Sequence, residues 1–368
     1  MPESSSTRSV RRSPALRTAL SAIPPYAPGR RASSDLTAAL ASNESHFAPL
    51  PSVQQVVQNA ARTVNRYPDM TSTRLREEIG AFLQTDPGHI AVSPGSVGAL
   101  QQLMTSFCDE GDEVVFAWRS FEAYPILVQL AGARPVPVPL TADEEHDLDA
   151  MAAAITDRTR MVLLCVPNNP TGVGMTQADL VAFLDRVPPT VLVVVDEAYA
   201  EYVDSPGHAA ALSLLDDRSN VCVLRTFSKA YGLAGLRVGY AVGPAHVADG
   251  LRRAALPFGV SAPAQEAAIA SLAAAEELRA RVTALVRERR RVVEAVRDQG
   301  WSVPDSQANF FWLRANGRPL SRLLTAFDDA EILVRPFADE GIRITLADRA
   351  TNDRVLRVLS DVRRGAEL

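Results

Sequence analysis

Lys229 is the residue whose setting says most about chemistry. It lies in Arg225-Thr226-Phe227-Ser228-Lys229-Ala230-Tyr231-Gly232-Leu233-Ala234-Gly235-Leu236-Arg237, just after an apolar run of strand type. Desolvation disfavours an ammonium and lowers its pKa. A neutral amine can then attack an aldehyde and form a Schiff base. The hydroxyls of Thr226 and Ser228, with the guanidinium of Arg237, have the chemistry of a phosphate site. The same stretch also reads as a strand-to-helix turn whose lysine points to solvent.

Three further stretches bear on that choice. Asp196 follows five apolar residues, Val191-Leu192-Val193-Val194-Val195. The C-terminal edge of an open α/β sheet is where ligands bind. A carboxylate there can pair with a protonated pyridine nitrogen and keep the ring an electron sink. Tyr199, three residues on, can donate to a phenolic oxygen of such a ring. An acid at a strand end serves equally as a helix cap or a magnesium ligand. In Cys165-Val166-Pro167-Asn168-Asn169-Pro170-Thr171-Gly172, the Asn-Pro and Thr-Gly pairs favour a tight turn, whether plain or one that fixes the Asn169 amide. Ser93-Pro94-Gly95-Ser96-Val97-Gly98 enters a helical pattern, and backbone amides at a helix start either bind an anion or are merely capped. Together the four loops offer a phosphate site, a ring partner, an amide and a lysine, which is what one cofactor needs.

The elements that would position these loops are legible in outline. Short β-rich runs occur at 113–116, 161–166, 191–195, 221–224 and 238–242. Helical spacing links Val97, Leu100, Leu103, Met104 and Phe107, and Thr176 with Asp179 resembles a capping box. Alternating strands and helices indicate an α/β fold with a mostly parallel sheet covered on both faces. Residues 264–299 read as one or two long helices ended by Gly300, and 301–368 mix short strands with helices. At roughly 100–200 residues per domain, a chain of 368 residues suggests two. The expected division is a tail at 1–25, an arm at 26–50, a large domain at 51–258 and a smaller α+β domain at 259–368.

Composition narrows the function classes. A net charge of −5 offers no general basic field for nucleic acid, so a small-molecule partner is expected. No stretch approaches the ~20 apolar residues of a membrane helix. The Ser- and Arg-rich start reads as a frayed tail, with a transit-like peptide as the other reading. Cys108, Cys165 and Cys222 are far apart and odd in number, which suggests reduced cysteine in the cytoplasm. The five histidines show no ligand spacing with them, so no metal site is expected. No G-x-G-x-x-G follows a strand, which disfavours a nicotinamide-binding dehydrogenase.

Asn168–Gly172, Asp196–Tyr199 and Ser228–Arg237 resemble the corresponding stretches of fold-type I pyridoxal 5′-phosphate (PLP) aminotransferases, and the likeness runs from about Tyr26 to Leu359. It implies that Lys229 forms the Schiff base and shuttles the substrate proton, that Asp196 pairs with the pyridine nitrogen, and that Asn169 and Tyr199 bond the ring oxygen. Ser96, Val97, Thr226, Ser228 and Arg237 would hold the phosphate, and Phe121 would stack on the ring. Tyr67 would reach the phosphate of a neighbouring subunit, which implies a homodimer. Arg343 would clamp the substrate α-carboxylate through a bidentate pair.

The nearest subfamily by likeness is that of the histidinol-phosphate aminotransferases. The chain departs from it at Val97-Gly98, where those enzymes usually carry an acidic pair. It departs again in Asn43-Glu44-Ser45-His46-Phe47-Ala48-Pro49-Leu50-Pro51, where they usually read Asn-Glu-Asn-Pro. These features resemble the actinobacterial aromatic (phenylalanine) aminotransferase branch, as do Trp118-Arg119-Ser120-Phe121-Glu122 and Ser306-Gln307-Ala308-Asn309-Phe310. The implied reaction is ping-pong transfer between phenylalanine or tyrosine and a 2-oxo acid such as 2-oxoglutarate. An aromatic side chain needs an apolar wall, for which Tyr26, Phe47, Phe121 and Tyr124 are candidates, Phe47 and Tyr124 equally as packing residues. Arg335 keeps histidinol phosphate as the alternative, unless it serves in a structural ion pair. A PLP decarboxylase, and a non-enzymatic regulator on the same fold, are disfavoured.

Overall fold

The computed structural model describes residues 14–17, 20, 23, 37–317 and 319–365. Most of the expected tail, and Tyr26, lie outside the described residues. The described chain opens with a two-residue strand, β1 (Ala38–Ala39). Seven strands follow and form one sheet: β2 (Ile90–Ser93), β3 (Glu113–Trp118), β4 (Arg134–Pro139), β5 (Thr159–Cys165), β6 (Leu192–Asp196), β7 (Val221–Thr226) and β8 (Gly239–Val242). Their spatial order is β2-β8-β7-β6-β5-β3-β4. Only the pairings made by β8 are antiparallel.

Each of the five β-rich runs expected from sequence is a strand of this sheet. They read as continuous apolar runs because both faces are covered. Val194, Cys222 and Leu163 pack on one face with the Gly95–Phe107 helix. Val193, Val195 and Val223 pack on the other with the Gln177–Leu184 helix. That second helix begins where the sequence suggested: the Thr176 side chain accepts from the Asp179 N–H.

The C-terminal region adds β9 (Phe310–Arg314), β10 (Ile332–Leu333), β11 (Arg335–Phe337) and β12 (Gly341–Thr345). Strands β11, β12 and β9 make an antiparallel sheet, and β10 pairs in parallel with β1. The N-terminal segment is therefore sewn to the C-terminal region, some three hundred positions away in the chain. The 264–299 region resolves into two helices, Ala262–Ala273 and Ala275–Asp298. Gly300, at φ +79°, follows the second one. The Ala262–Ala273 helix packs on the Pro51–Ala60 and Thr73–Leu83 helices, so the first helix after the expected boundary lies against residues before it.

Arg289, on the long helix, ties these parts together. Its buried guanidinium donates to the carbonyls of Tyr202 (2.8 Å) and Ala308 (3.1 Å) and to Asp204 Oδ1 (2.5 Å). Removing a buried cation strands its partners. Arg289→Ala is expected to cost about 3 kcal/mol in chemical denaturation. A loss below about 0.5 kcal/mol would show that the helix is held by apolar packing alone.

Candidate active site

Strands β5, β6 and β7 are parallel neighbours, so their C-terminal ends finish along one sheet edge. The register sets Cys165 beside Asp196, and Asp196 beside Leu224. The turn after β5 carries Asn169, β6 ends on Asp196, and the turn after β7 carries Ser228 and Lys229. A cavity of about 340 Å³ opens at this edge. The Gly95–Phe107 helix points its N-terminus into it through Ser96 and Val97, and β11 and β12 supply Arg335 and Arg343 from the other side.

Lys229 is half-buried in the cavity wall, and its Nζ donates to the Ser42 carbonyl at 3.0 Å. Burial, with Arg343 and Arg237 nearby, brings its pKa down to about 7, against the opposing pull of Glu44 and Asp196. The solvent-facing reading of this lysine is thereby excluded. Lys229 is also the only lysine among the 38 Lys and Arg residues of the chain. Every other basic position is arginine, which cannot be deprotonated in a protein. That count was readable in the sequence and would have singled out position 229 without any motif.

Asp196 is fully buried, and burial pushes its carboxyl up to about 6, while a hydrogen bond from Tyr124 opposes the rise. The Tyr124 hydroxyl donates to Oδ2 at 2.9 Å. Oδ1 is buried and accepts from none of the described residues. Tyr124, a candidate wall residue, thus stands behind Asp196 instead of lining the cavity. Nothing in the sequence spacing relates positions 124 and 196; only the fold brings them together.

Asn43 also reaches the site, without a signal in the sequence spacing. It is buried in the left-handed region, at φ 53°, and its Nδ2 donates to the Tyr199 hydroxyl at 2.9 Å. Its carbonyl accepts from Asn309, its N–H donates to Thr345 Oγ1, and its Oδ1 accepts from Thr345. Burial raises the Tyr199 pKa, so its phenol stays protonated. Arg343 donates to Asn169 Oδ1 and to the Ala41 carbonyl, both at 2.6 Å.

One end of the cavity has the donors of an anion site. Ser96 and Val97 lie in the first turn of a 13-residue helix, whose N-terminus favours negative charge. Thr226, Ser228 and Arg237 face them. Arg237 Nη1 donates to Ser228 Oγ at 3.3 Å, and Thr226 Oγ1 accepts from the Ser228 N–H at 3.1 Å. Gly95 adopts φ +76°, and a Cβ there would sit 2.6 Å from Arg237 Nη2. The donor set and the glycine cradle fit a phosphate. The unpaired Asp196 oxygen fits a ring N–H.

Phe121 and Arg335 also line the cavity. Tyr67 and Phe47 do not. Tyr67 is 82% exposed and stacks on Phe258 at 4.5 Å. Phe47 lies against His46 and under the Arg281 guanidinium. Among the described residues, no group of three or more His, Cys, Asp or Glu could hold a metal ion, all three cysteines are unpaired and buried, and no helix is long and apolar enough to cross a membrane.

Comparison with known proteins places the geometry in context. The family model for aminotransferase class I and II matches residues 38–359. An aromatic amino acid aminotransferase of Streptomyces coelicolor is 53% identical over 96% of this chain and 98% of its own length. One of Thermobifida fusca is 51% identical over 95% of this chain and 98% of its own. Among solved structures, the histidinol-phosphate aminotransferase of Sinorhizobium meliloti in complex with pyridoxal-5′-phosphate superposes with a TM-score of 0.87. It is 30% identical and covers 97% of this chain and 100% of its own.

Tyr124→Phe tests the support of Asp196. Asp196 ionises as pH rises through about 6, and loss of the donated hydrogen bond favours its protonated form. In the cofactor-free protein the titration of Asp196 should move up by about one unit, read by the carboxyl stretch in infrared difference spectra. An unmoved titration would mean that the phenol does not control this carboxylate.

Proposed function

The chain belongs to the class I and II aminotransferases, and on that premise we propose that it moves the amino group between phenylalanine or tyrosine and a 2-oxo acid such as 2-oxoglutarate. The observation that carries the chemistry is the convergence of a desolvated Lys229, a half-paired Asp196 and Arg343 on one cavity. The aromatic assignment draws on the relatives that share about half of their residues with the chain. It also draws on Arg335: the cation that a phosphorylated side chain would need is already paired with Glu122 at 2.8 Å.

The cofactor is PLP, which when bound supplies an aldehyde and a ring that withdraws electrons from the substrate's α-carbon. In this reading Lys229 holds the aldehyde between turnovers and afterwards carries a proton from the α-carbon. Asp196 Oδ1 accepts the ring N–H. Asn169 and the protonated Tyr199 bond the ring oxygen, and Phe121 covers a ring face. Ser96, Val97, Thr226, Ser228 and Arg237 hold the phosphate. Arg343 turns from its neutral partners, Asn169 and Ala41, to the α-carboxylate, where a charge-assisted pair is stronger.

The reading includes a homodimer. Tyr67 (82% exposed), Leu256 (73%) and Phe258 (40%) leave apolar surface at a place that adjoins the phosphate end of the cavity. A Cβ on the neighbouring Gly259 would lie 3.4 Å from Pro94, at the start of the phosphate helix. Exposed apolar patches of this kind mark interaction surfaces, and Tyr67 would reach the partner's phosphate across it. The buried, unpaired cysteines agree with a cytoplasmic location.

Purified enzyme saturated with PLP should transaminate phenylalanine or tyrosine faster than histidinol phosphate at equal concentration. Fastest turnover of histidinol phosphate would overturn the aromatic assignment. Capture of PLP by the apoenzyme should speed up as pH rises through about 7, where the Lys229 ammonium gives up its proton, and level off above it. A rate that is flat between pH 6 and about 8 would contradict a desolvated lysine.

A further inference from the structure

We propose that Glu122 is a specificity-determining residue: by pairing with Arg335 it sets the charge that the cavity accepts at the side-chain end of the substrate, favouring an uncharged ring over a second anion. The inference deepens the aromatic reading and rests on it. Arg335 and Arg343 are directly opposite each other across the antiparallel β11–β12 pair, so both side chains leave the same face of the hairpin. Both line the cavity. Like charges at directly opposed positions repel. Glu122 reaches this pair: its Oε2 lies 2.8 Å from Arg335 Nη2. The partners named above for Arg343 are neutral, an amide oxygen and a carbonyl.

Arg343 meets an incoming carboxylate in exchange for an amide oxygen and a carbonyl. Arg335 can take a second anion only by releasing Glu122 into the same cavity, where the freed carboxylate faces the anion that displaced it. A substrate with one carboxylate and an uncharged side chain leaves the Glu122–Arg335 pair intact. Without Glu122, an aromatic ring would be seated beside a cation that has lost this carboxylate, which is unfavourable in a partly desolvated site. The pair therefore works in both directions: it admits the ring and resists phosphate or carboxylate at the far end. A dicarboxylic oxo acid must meet the same resistance, so the selectivity for a ring on the donor weakens binding of such an acceptor.

The test is steady-state kinetics of PLP-saturated Glu122→Gln, with phenylalanine, histidinol phosphate and glutamate as donors. The kcat/KM ratio of histidinol phosphate to phenylalanine should rise by about tenfold, through the KM values, and the ratio of glutamate to phenylalanine should rise with it. A KM for 2-oxoglutarate that falls in the same variant is the matching result on the acceptor side. Ratios within about twofold of the parent's overturn the proposal. Arg335→Leu supplies a second arm that does not depend on Glu122→Gln folding well. It should lower kcat/KM for histidinol phosphate and glutamate relative to phenylalanine, because the cation is gone and the bare Glu122 carboxylate remains. Anionic donors that keep their ratio to phenylalanine within about twofold in Arg335→Leu would mean that Arg335 does not receive the second anion, and the pairing account fails. A parent enzyme that prefers histidinol phosphate sinks the aromatic reading by itself; the variant ratios judge the role of Glu122 separately.

Discussion

The structure turns on keeping an amine uncharged. A lysine in water is an ammonium and cannot attack an aldehyde; this one is made reactive by removal of its water. The large sheet, its covering helices and the β11-β12-β9 sheet together build a desolvated edge at which Lys229 titrates near 7 instead of near 10.5. The same dryness acts on Asp196 in the opposite sense and would protonate it. Tyr124 opposes that by donating to one oxygen while the other stays open. Two groups with opposite needs are thus served in one low-dielectric space, each by its own neighbours.

Dryness also requires that distant parts of the chain close over the site. The segment 41–43 is the keystone. It supplies carbonyls to Arg343 and Lys229, and Asn43 binds Tyr199 from the large sheet while holding Asn309 and Thr345 from the C-terminal sheet. Charged pairs cross the same seam farther out: Arg119 with Glu340, Glu122 with Arg335, and Glu144 with Arg314. The walls of the cavity and the joint between the two sheets are therefore one set of contacts, and what fixes the position of β11 and β12 also fixes the two arginines that line the cavity.

Much of this was legible in the residues. Strands buried on both faces announce themselves as apolar runs, so β3, β5, β6, β7 and β8 could be read directly, and the chemistry sits where those runs stop. Lys229, Asp196, Asn169 and the Ser96 helix start were accessible for that reason. Tyr124 behind Asp196, Asn43 on Tyr199 and Glu122 on Arg335 were not. Each is a pair separated by 72, 156 or 213 positions, joined only after the sheet order and the β1–β10 pairing are set. Charge pairing across such distances leaves no local period or spacing. Lys229 was in fact over-determined by the sequence, since the chain has no other lysine.

That solitary lysine permits a direct trial of the central claim. Borohydride reduction of the PLP-loaded protein fixes the cofactor covalently to whichever amine holds it, and peptide mass spectrometry then locates the attachment. Apart from the chain's terminal amine, Lys229 is the one primary amine that the sequence offers. One pyridoxyl group per chain on the peptide that contains Lys229, and none in Lys229→Arg, is the predicted result. Attachment at the terminal amine, or no fixed cofactor in the loaded parent protein, would contradict the account.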